Sequence, residues 1–163
     1  MSAPAEKPKT GPRVVSSLGH EFVTLRLDGQ LLGIPVLSVH DVLSPQKITR
    51  IPLAPDWVAG VLNLRGRIVT AINLRQRLGL KPREDGGRDM SIVIEFRGEP
   101  YSLQIDSVGE VLNLESETLE KNPVTLDERW REVSRGIYRL EGELLVILDV
   151  ERVLGVASAQ EAA

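Results

Sequence analysis

The strongest constraint on this chain is that it is written twice. Sliding Val23–Leu43 by 69 residues lays it on Ile92–Leu112 without a gap. Val23, Leu25 and Leu27 fall on Ile92, Ile94 and Phe96, and Gly29 falls on Gly98. Ser38, Val39, Asp41, Val42 and Leu43 fall on Ser107, Val108, Glu110, Val111 and Leu112. A second block repeats at a shift of 76: Gly60-Val61 on Gly136-Ile137, Leu64 on Leu140, Gly66 on Gly142, Asn73-Leu74 on Asp149-Val150, Leu78-Gly79 on Leu154-Gly155. The slip of seven residues between blocks puts a longer connection in 113–135. A half of about 60–70 residues is marginal for a core of its own. The repeat therefore predicts two small subdomains that share a core about a pseudo-twofold axis.

Within each half the apolar pattern reads as short strands. Val23, Leu25 and Leu27 alternate with Thr24 and Arg26, the period of a half-buried strand. Asp28-Gly29 is a hairpin turn, because both central positions favour positive φ. Leu32, Ile34 and Val36 continue on the return strand, and Pro35, with no N–H, predicts an edge or a bulge there. Val36, Val39 and Leu43 have helical spacing and predict a short helical turn, ended by Pro45. A second hairpin turns at Arg65-Gly66, and its counterpart at Glu141-Gly142. Asn73 and Asp149 are N-caps of short helices at 74–78 and 150–154, with Gly79 and Gly155 as C′ glycines. The expected fold is mainly β, as two small β-barrels with short helices. The folded region is 19–156, with halves at about 21–80 and 91–156. The Pro-punctuated segment 1–18 and the tail 157–163 are expected to be disordered arms.

Composition narrows the function. The chain has 163 residues, a 42% hydrophobic fraction and a net charge of −3, so it can build a core and has no general attraction to anionic surfaces. Cysteine is absent, which excludes disulfides and thiol nucleophiles and suits a reducing cytosol. No apolar run approaches the ~18 residues of a membrane span. There is no phosphate-binding glycine loop, and Ser38 has no nucleophile elbow around it. His20 and His40 lack metal-ligand spacing. Asp41, Asp106, Glu110 and Glu115 read as solvated or interfacial carboxylates. No catalytic, metal or cofactor site is expected. Arg65, Arg67, Arg75, Arg77, Lys81, Arg83 and Arg88 form a basic stretch, answered in the second half by Glu141, Glu143, Asp149 and Glu151. Aromatics total 4%, too few to interleave stacking platforms with the basic groups. The molecule is charge-polarised, which suits head-to-tail protein association.

The run Gly60-Val61-Leu62-Asn63-Leu64-Arg65-Gly66, followed by Asn73-Leu74-Arg75, resembles the signature of the CheW family. Thr49-Arg50-Ile51-Pro52 and Pro55 also resemble it, as do Gly29, Gly33 and Asp41. Asp106, Val108, Val111 and Leu112 carry the likeness through the second half, so that it covers roughly residues 20–156. The resemblance implies two intertwined five-stranded, SH3-like β-barrels. It implies a non-enzymatic adaptor that couples the cytoplasmic tips of chemoreceptors to the histidine kinase CheA, in the cytoplasm and recruited to receptor arrays at the inner membrane. It also implies a receptor groove between the barrels at Val36, Val39, Asp41, Met90 and Val111, and a kinase contact on the first barrel at Ile48, Gly60, Val61, Asn63, Arg65 and Gly66. Arg65 is the family's functional arginine. By spacing alone Val39 and Val111 suit a core as well as a groove, and Asn63 suits a purely structural role in its hairpin. Thr70 stands where the family usually has proline and Asn73 where it has aspartate. Glu117, Glu120 and Thr125 stand where the family often has a basic and a bulky apolar residue for a second ring contact, so the resemblance leaves that contact over 115–126 open. Two alternatives remain open from the sequence: a CheW-like adaptor of a non-flagellar chemosensory pathway, and a nucleic-acid-binding tandem barrel.

Overall fold

The computed structural model describes residues 20–83 and 89–155. The two arms and Arg88 lie outside them. Half one contributes β1 (Glu21–Leu27), β2 (Gln30–Pro35), a 3-10 turn (Val36–Ser38), β3 (Val39–Leu43), β4 (Val58–Leu64), β5 (Arg67–Asn73) and helix α1 (Leu74–Arg77). Half two contributes β6 (Met90–Phe96), β7 (Glu99–Ile105), β8 (Ser107–Asn113), helix α2 (Glu128–Glu132), β9 (Ser134–Leu140) and β10 (Glu143–Leu148). A last helix, α3, spans 150–155.

The ten strands form two five-stranded sheets, and the halves are interleaved. The first sheet runs β3-β6-β7-β5-β4 and the second β8-β1-β2-β10-β9. Each takes three strands from one half and a hairpin from the other. The repeat turns one order into the other strand for strand, and the registers follow: Val42 faces Ile92 and Val111 faces Val23. Asp28 and Arg97 have φ of 52° and 52°, and Gly29 and Gly98 of 81° and 80°, so the two hairpin turns are equivalent.

Each sheet buries both faces. The faces turned toward each other make a shared core from Leu25, Leu27, Leu32, Ile34, Ile72, Ile92, Ile94, Leu103 and others. The opposite face of each sheet curls around a small core of its own: Leu43, Leu62, Val69, Ala71 and Val93 in the first, Phe22, Leu31, Tyr138, Leu145 and Ile147 in the second. Thr24 is therefore buried, not the solvent-facing residue its alternation suggested. Its hydroxyl donates to the Glu110 carbonyl at 2.6 Å, satisfying a group freed by a bulge in β8.

The sheets are not closed by a full strand ladder. The chain leaving β3 touches β4 at one bridge, Thr49–Val61, and the chain leaving β8 touches β9 at Glu120–Ile137. Each bridge has two backbone hydrogen bonds of 2.8–2.9 Å. Gly60 and Gly136 sit at these seams with φ of 147° and 155°. A Cβ on Gly60 would lie 2.2 Å from the Thr49 carbonyl oxygen, and one on Gly136 2.8 Å from that of Glu120. The bridges are 71 residues apart, so two of the seven extra residues precede the second seam and five follow it, where α2 lies.

Three local expectations change. Pro35 ends an inner strand, beyond the parallel β2–β10 pairing at Leu31–Gly33, so its missing N–H interrupts no ladder. Val36, Val39 and Leu43 are not one helical face: a 3-10 turn covers 36–38 and a bulged strand follows. Asn73 and Asp149 cap their helices as expected, accepting from the Gln76 and Arg152 amides, and Gly79 takes a C′ conformation with φ 74°. Gly155, by contrast, is still helical.

Candidate protein-interaction site

The residues expected at a receptor groove converge on the cleft between the sheets. Val36, Val39 and Met90 are half-buried and pack against the margin of the shared core. Val111 belongs to the other sheet and is 54% exposed. Its pairing with Val23 puts it on the face turned to the first sheet. The repeat maps Val111 onto Val42, and Val42 is likewise exposed, opposite the buried Ile92. Val42 thus extends the same apolar rim from the first sheet. It was not singled out from the sequence, although the 69-residue shift alone pointed to it.

The residues expected at a kinase contact divide into two groups. Ile48 packs against the small core of the first sheet, Gly60 is buried at its seam, and half-buried Val61 makes the seam's hydrogen bonds. Asn63, Arg65 and Gly66 form the exposed tip of the β4–β5 hairpin. Asn63 holds that tip together, its side-chain oxygen accepting from the Gly66 amide at 3.0 Å. Arg65 takes φ 53° at the turn, so its side chain stands out from the hairpin.

The two sets meet at one ion pair. Arg65 Nη1 lies 2.8 Å from Asp41 Oδ2, spanning the gap between edge strands β3 and β4. The Arg65 hydrogen bond, then the amide of Val42, hold the Asp41 carboxyl below the usual carboxylate range. Arg65 remains mostly exposed, so the pair orients the guanidinium and contributes little to stability. Beside it, bulged His40 reaches Glu95 Oε1 at 3.2 Å.

Much of the charge polarity seen in the sequence is absorbed between the halves. Arg26 makes two hydrogen bonds to Glu143, of 3.0 and 2.9 Å. The repeat-related pair is Glu95 with Arg67, the same contact with its signs exchanged. Asp28–Arg75 and Arg97–Glu151 repeat the exchange. Arg75 also forks onto Asp106 at 3.1 and 2.7 Å, while the Asp28 amide donates to the same carboxylate at 2.9 Å. Burial pushes the Asp106 carboxyl up, but these donors and the nearby Arg83 outweigh it and hold it low. This network fastens the β7–β8 turn to half one.

Beyond the first seam, Leu53 is fully exposed in the left-handed region, with φ 67°. Val124 stands four residues past the second seam as Leu53 does past the first, and it too is almost wholly exposed. Among the described residues no group of histidines and carboxylates could hold a metal ion, and no helix is long and apolar enough to cross a membrane.

A family model described as a CheW-like domain matches residues 21–158. The chemotaxis protein CheW of Klebsiella aerogenes is 30% identical, over 85% of this chain and 83% of that protein. A probable chemotaxis protein CheW of Rhizobium etli is 26% identical, over 87% and 92%. The crystal structure of a CheW scaffolding protein from Thermoanaerobacter tengcongensis superposes with a TM-score of 0.70 at 29% identity, covering 80% of this chain and 88% of that one. With a match spanning both interleaved halves, the chain belongs to the CheW family.

Proposed function

We propose that the chain is a non-enzymatic chemotaxis adaptor that binds chemoreceptor tips and the histidine kinase CheA at once. The observation that carries this reading is the adjacency of two different surfaces across one ion pair. An apolar rim at Val39, Val42 and Val111 opens between the sheets, fit to receive the apolar face of a receptor helix. Asp41 stands beside it, and its partner Arg65 projects from a hairpin tip on the first sheet, where Val61 and exposed Ile68 add apolar area. Arginine beside apolar surface is the composition of an interface anchor. Val36, Val39, Asp41, Met90 and Val111 are assigned to the receptor and Ile48, Val61, Asn63, Arg65 and Gly66 to the kinase. Gly60 serves the second surface through the seam. The site of action is the cytoplasm, at receptor arrays on the inner membrane.

Titration calorimetry tests this directly. The full chain is titrated with the regulatory domain of CheA, with a receptor tip fragment, and with the second partner when saturated by the first. Two affinities that survive each other's presence are expected. Mutual exclusion of the partners, or binding to neither, would refute the adaptor reading.

A further inference from the structure

Among the described residues, those other than glycine that hold positive φ are Asp28, Leu53, Arg65 and Arg97. Asp28, Arg65 and Arg97 are hairpin tips, each followed by a turn glycine, and their polar side chains are engaged by Arg75, Asp41 and Glu151. Leu53 is different. It lies at φ 67° in the turn 51–54, where Pro52 followed by a left-handed residue is the pattern of a type II turn. Glycine or asparagine ordinarily fills that third place, because the Cβ of a bulkier residue crowds the following carbonyl. The leucine is also fully exposed, so packing within the chain does not offset the strain. Val124, its counterpart beyond the second seam, is almost as exposed but stays outside the left-handed region. The loop is pinned at both ends. At its root Thr49 exchanges two backbone hydrogen bonds with Val61, and at its far end the Val58 amide donates to the Pro55 carbonyl at 2.9 Å. Pro52 and Pro55 fix two further φ angles, and exposed Ile51 and Pro52 stand beside Leu53 in the chain.

We propose that Leu53 is an anchor that inserts into an apolar pocket on the regulatory domain of the histidine kinase, with Ile51 at the margin of the contact. A strained, unpacked leucine on a pinned loop serves no purpose in folding, whereas a contact residue held ready in its bound conformation loses little freedom when it docks. The inference rests on the reading of the first seam as kinase surface. The loop starts at Thr49, hydrogen-bonded to Val61 and next in the chain to Ile48, both of which belong to that surface. Because the Thr49–Val61 bridge is antiparallel, the loop runs from the seam away from the β4–β5 tip. Leu53 and Arg65 therefore bracket Val61, one apolar and one charged, and a partner seated on the seam meets both.

The test uses the full chain, titrated calorimetrically with the regulatory domain of CheA and melted in parallel. Leu53→Asn removes the apolar side chain and suits the left-handed backbone. It should melt about 2–4 °C above the parent and bind the kinase at least about tenfold more weakly. Leu53→Met keeps the apolar bulk and should bind within about threefold of the parent. A residue that served folding would lower stability and affinity together, whereas a strained contact residue moves them in opposite directions. Arg65→Ala separates this proposal from the reading beneath it. If Arg65→Ala weakens kinase binding and Leu53→Asn leaves it unchanged, the Leu53 anchor is refuted and the adaptor reading stands. If the parent does not bind the kinase, both fall. A Leu53→Asn protein that melts below the parent, or one that loses receptor binding or self-association in place of kinase binding, would also overturn the proposal.

Discussion

Replacing Gly60 by alanine tests whether one bridge holds the first sheet shut. The added Cβ would lie 2.2 Å from the Thr49 oxygen, 2.7 Å from its carbonyl carbon and 2.8 Å from Ile48 Cγ2. Two of these atoms are backbone, so the clash is relieved only by moving the strand that makes the seam. That motion breaks the Thr49–Val61 pair of hydrogen bonds, at about 1 kcal/mol each. Holding alanine at φ 147° adds roughly 1–3 kcal/mol of backbone strain. The expected loss is therefore about 3–5 kcal/mol, a fall in melting temperature on the order of 10 °C. Gly66→Ala is the control: its φ is 87° but its Cβ would meet nothing within 4 Å, so only the left-handed penalty of about 1–2 kcal/mol applies. Urea denaturation reads both, with a lowered midpoint at unchanged slope. A Gly60→Ala protein as stable as Gly66→Ala would refute the steric argument and free Gly60 to be a contact residue in its own right.

Three further outcomes are expected. Val111→Asp should stay within ~0.5 kcal/mol of the parent and lose receptor binding, whereas half-buried Val39→Asp should lose both stability and binding; equal melting curves for the two would undo the distinction. Arg65→Ala should weaken kinase binding by ~2 kcal/mol, about thirtyfold, with a stability change of ~0.5 kcal/mol or less; calorimetry and melting check the two halves of that statement. Asp106 titrates lower when folded than unfolded, so its pairing with Arg75 stabilises fully above the ordinary carboxylate range and is lost as pH falls through the depressed value. Asp106→Asn should therefore flatten the acid limb of the stability curve between about pH 5 and pH 2, and an unchanged limb would place the acid sensitivity elsewhere.

The repeat made two hairpins in each half and their turns legible from the sequence, because matched turn glycines and apolar spacings survive in both halves, while the fifth strand of each half, β3 and β8, was read as a helical turn. What it could not show is the exchange of hairpins, since the burial pattern of β1 and β2 is the same whichever half's strands flank them. Bulges account for the misread segment after Pro35. One extra residue at His40 shifts the period, so Val39 faces the shared core while Leu43 faces the small core of the first sheet. Spacings of three and four along a strand then imitate a helix. Thr24 was misread because its partner is a carbonyl 86 residues away, freed by the bulge in the other half. The Arg65 tip could be read from its motif. Its lock onto Asp41 could not, because that contact depends on how far β3 and β4 curl toward one another.

The interleaving also sets the order in which a nascent chain can be completed. The first sheet has all its strands once Ile105 has left the ribosome, but the second must wait for Leu148. Among the described residues the β1–β2 hairpin is the strand pair nearest the N-terminus, yet its final neighbours, β8 and β10, come from the later half. At about 5–20 residues per second it remains unseated for many seconds, with Phe22 and Leu31 bared on one face and Leu25, Leu27, Leu32 and Ile34 on the other. A chain cut off before β10 thus carries all the strands of one sheet and one greasy hairpin, whose apolar faces stay open to aggregation and to chaperones.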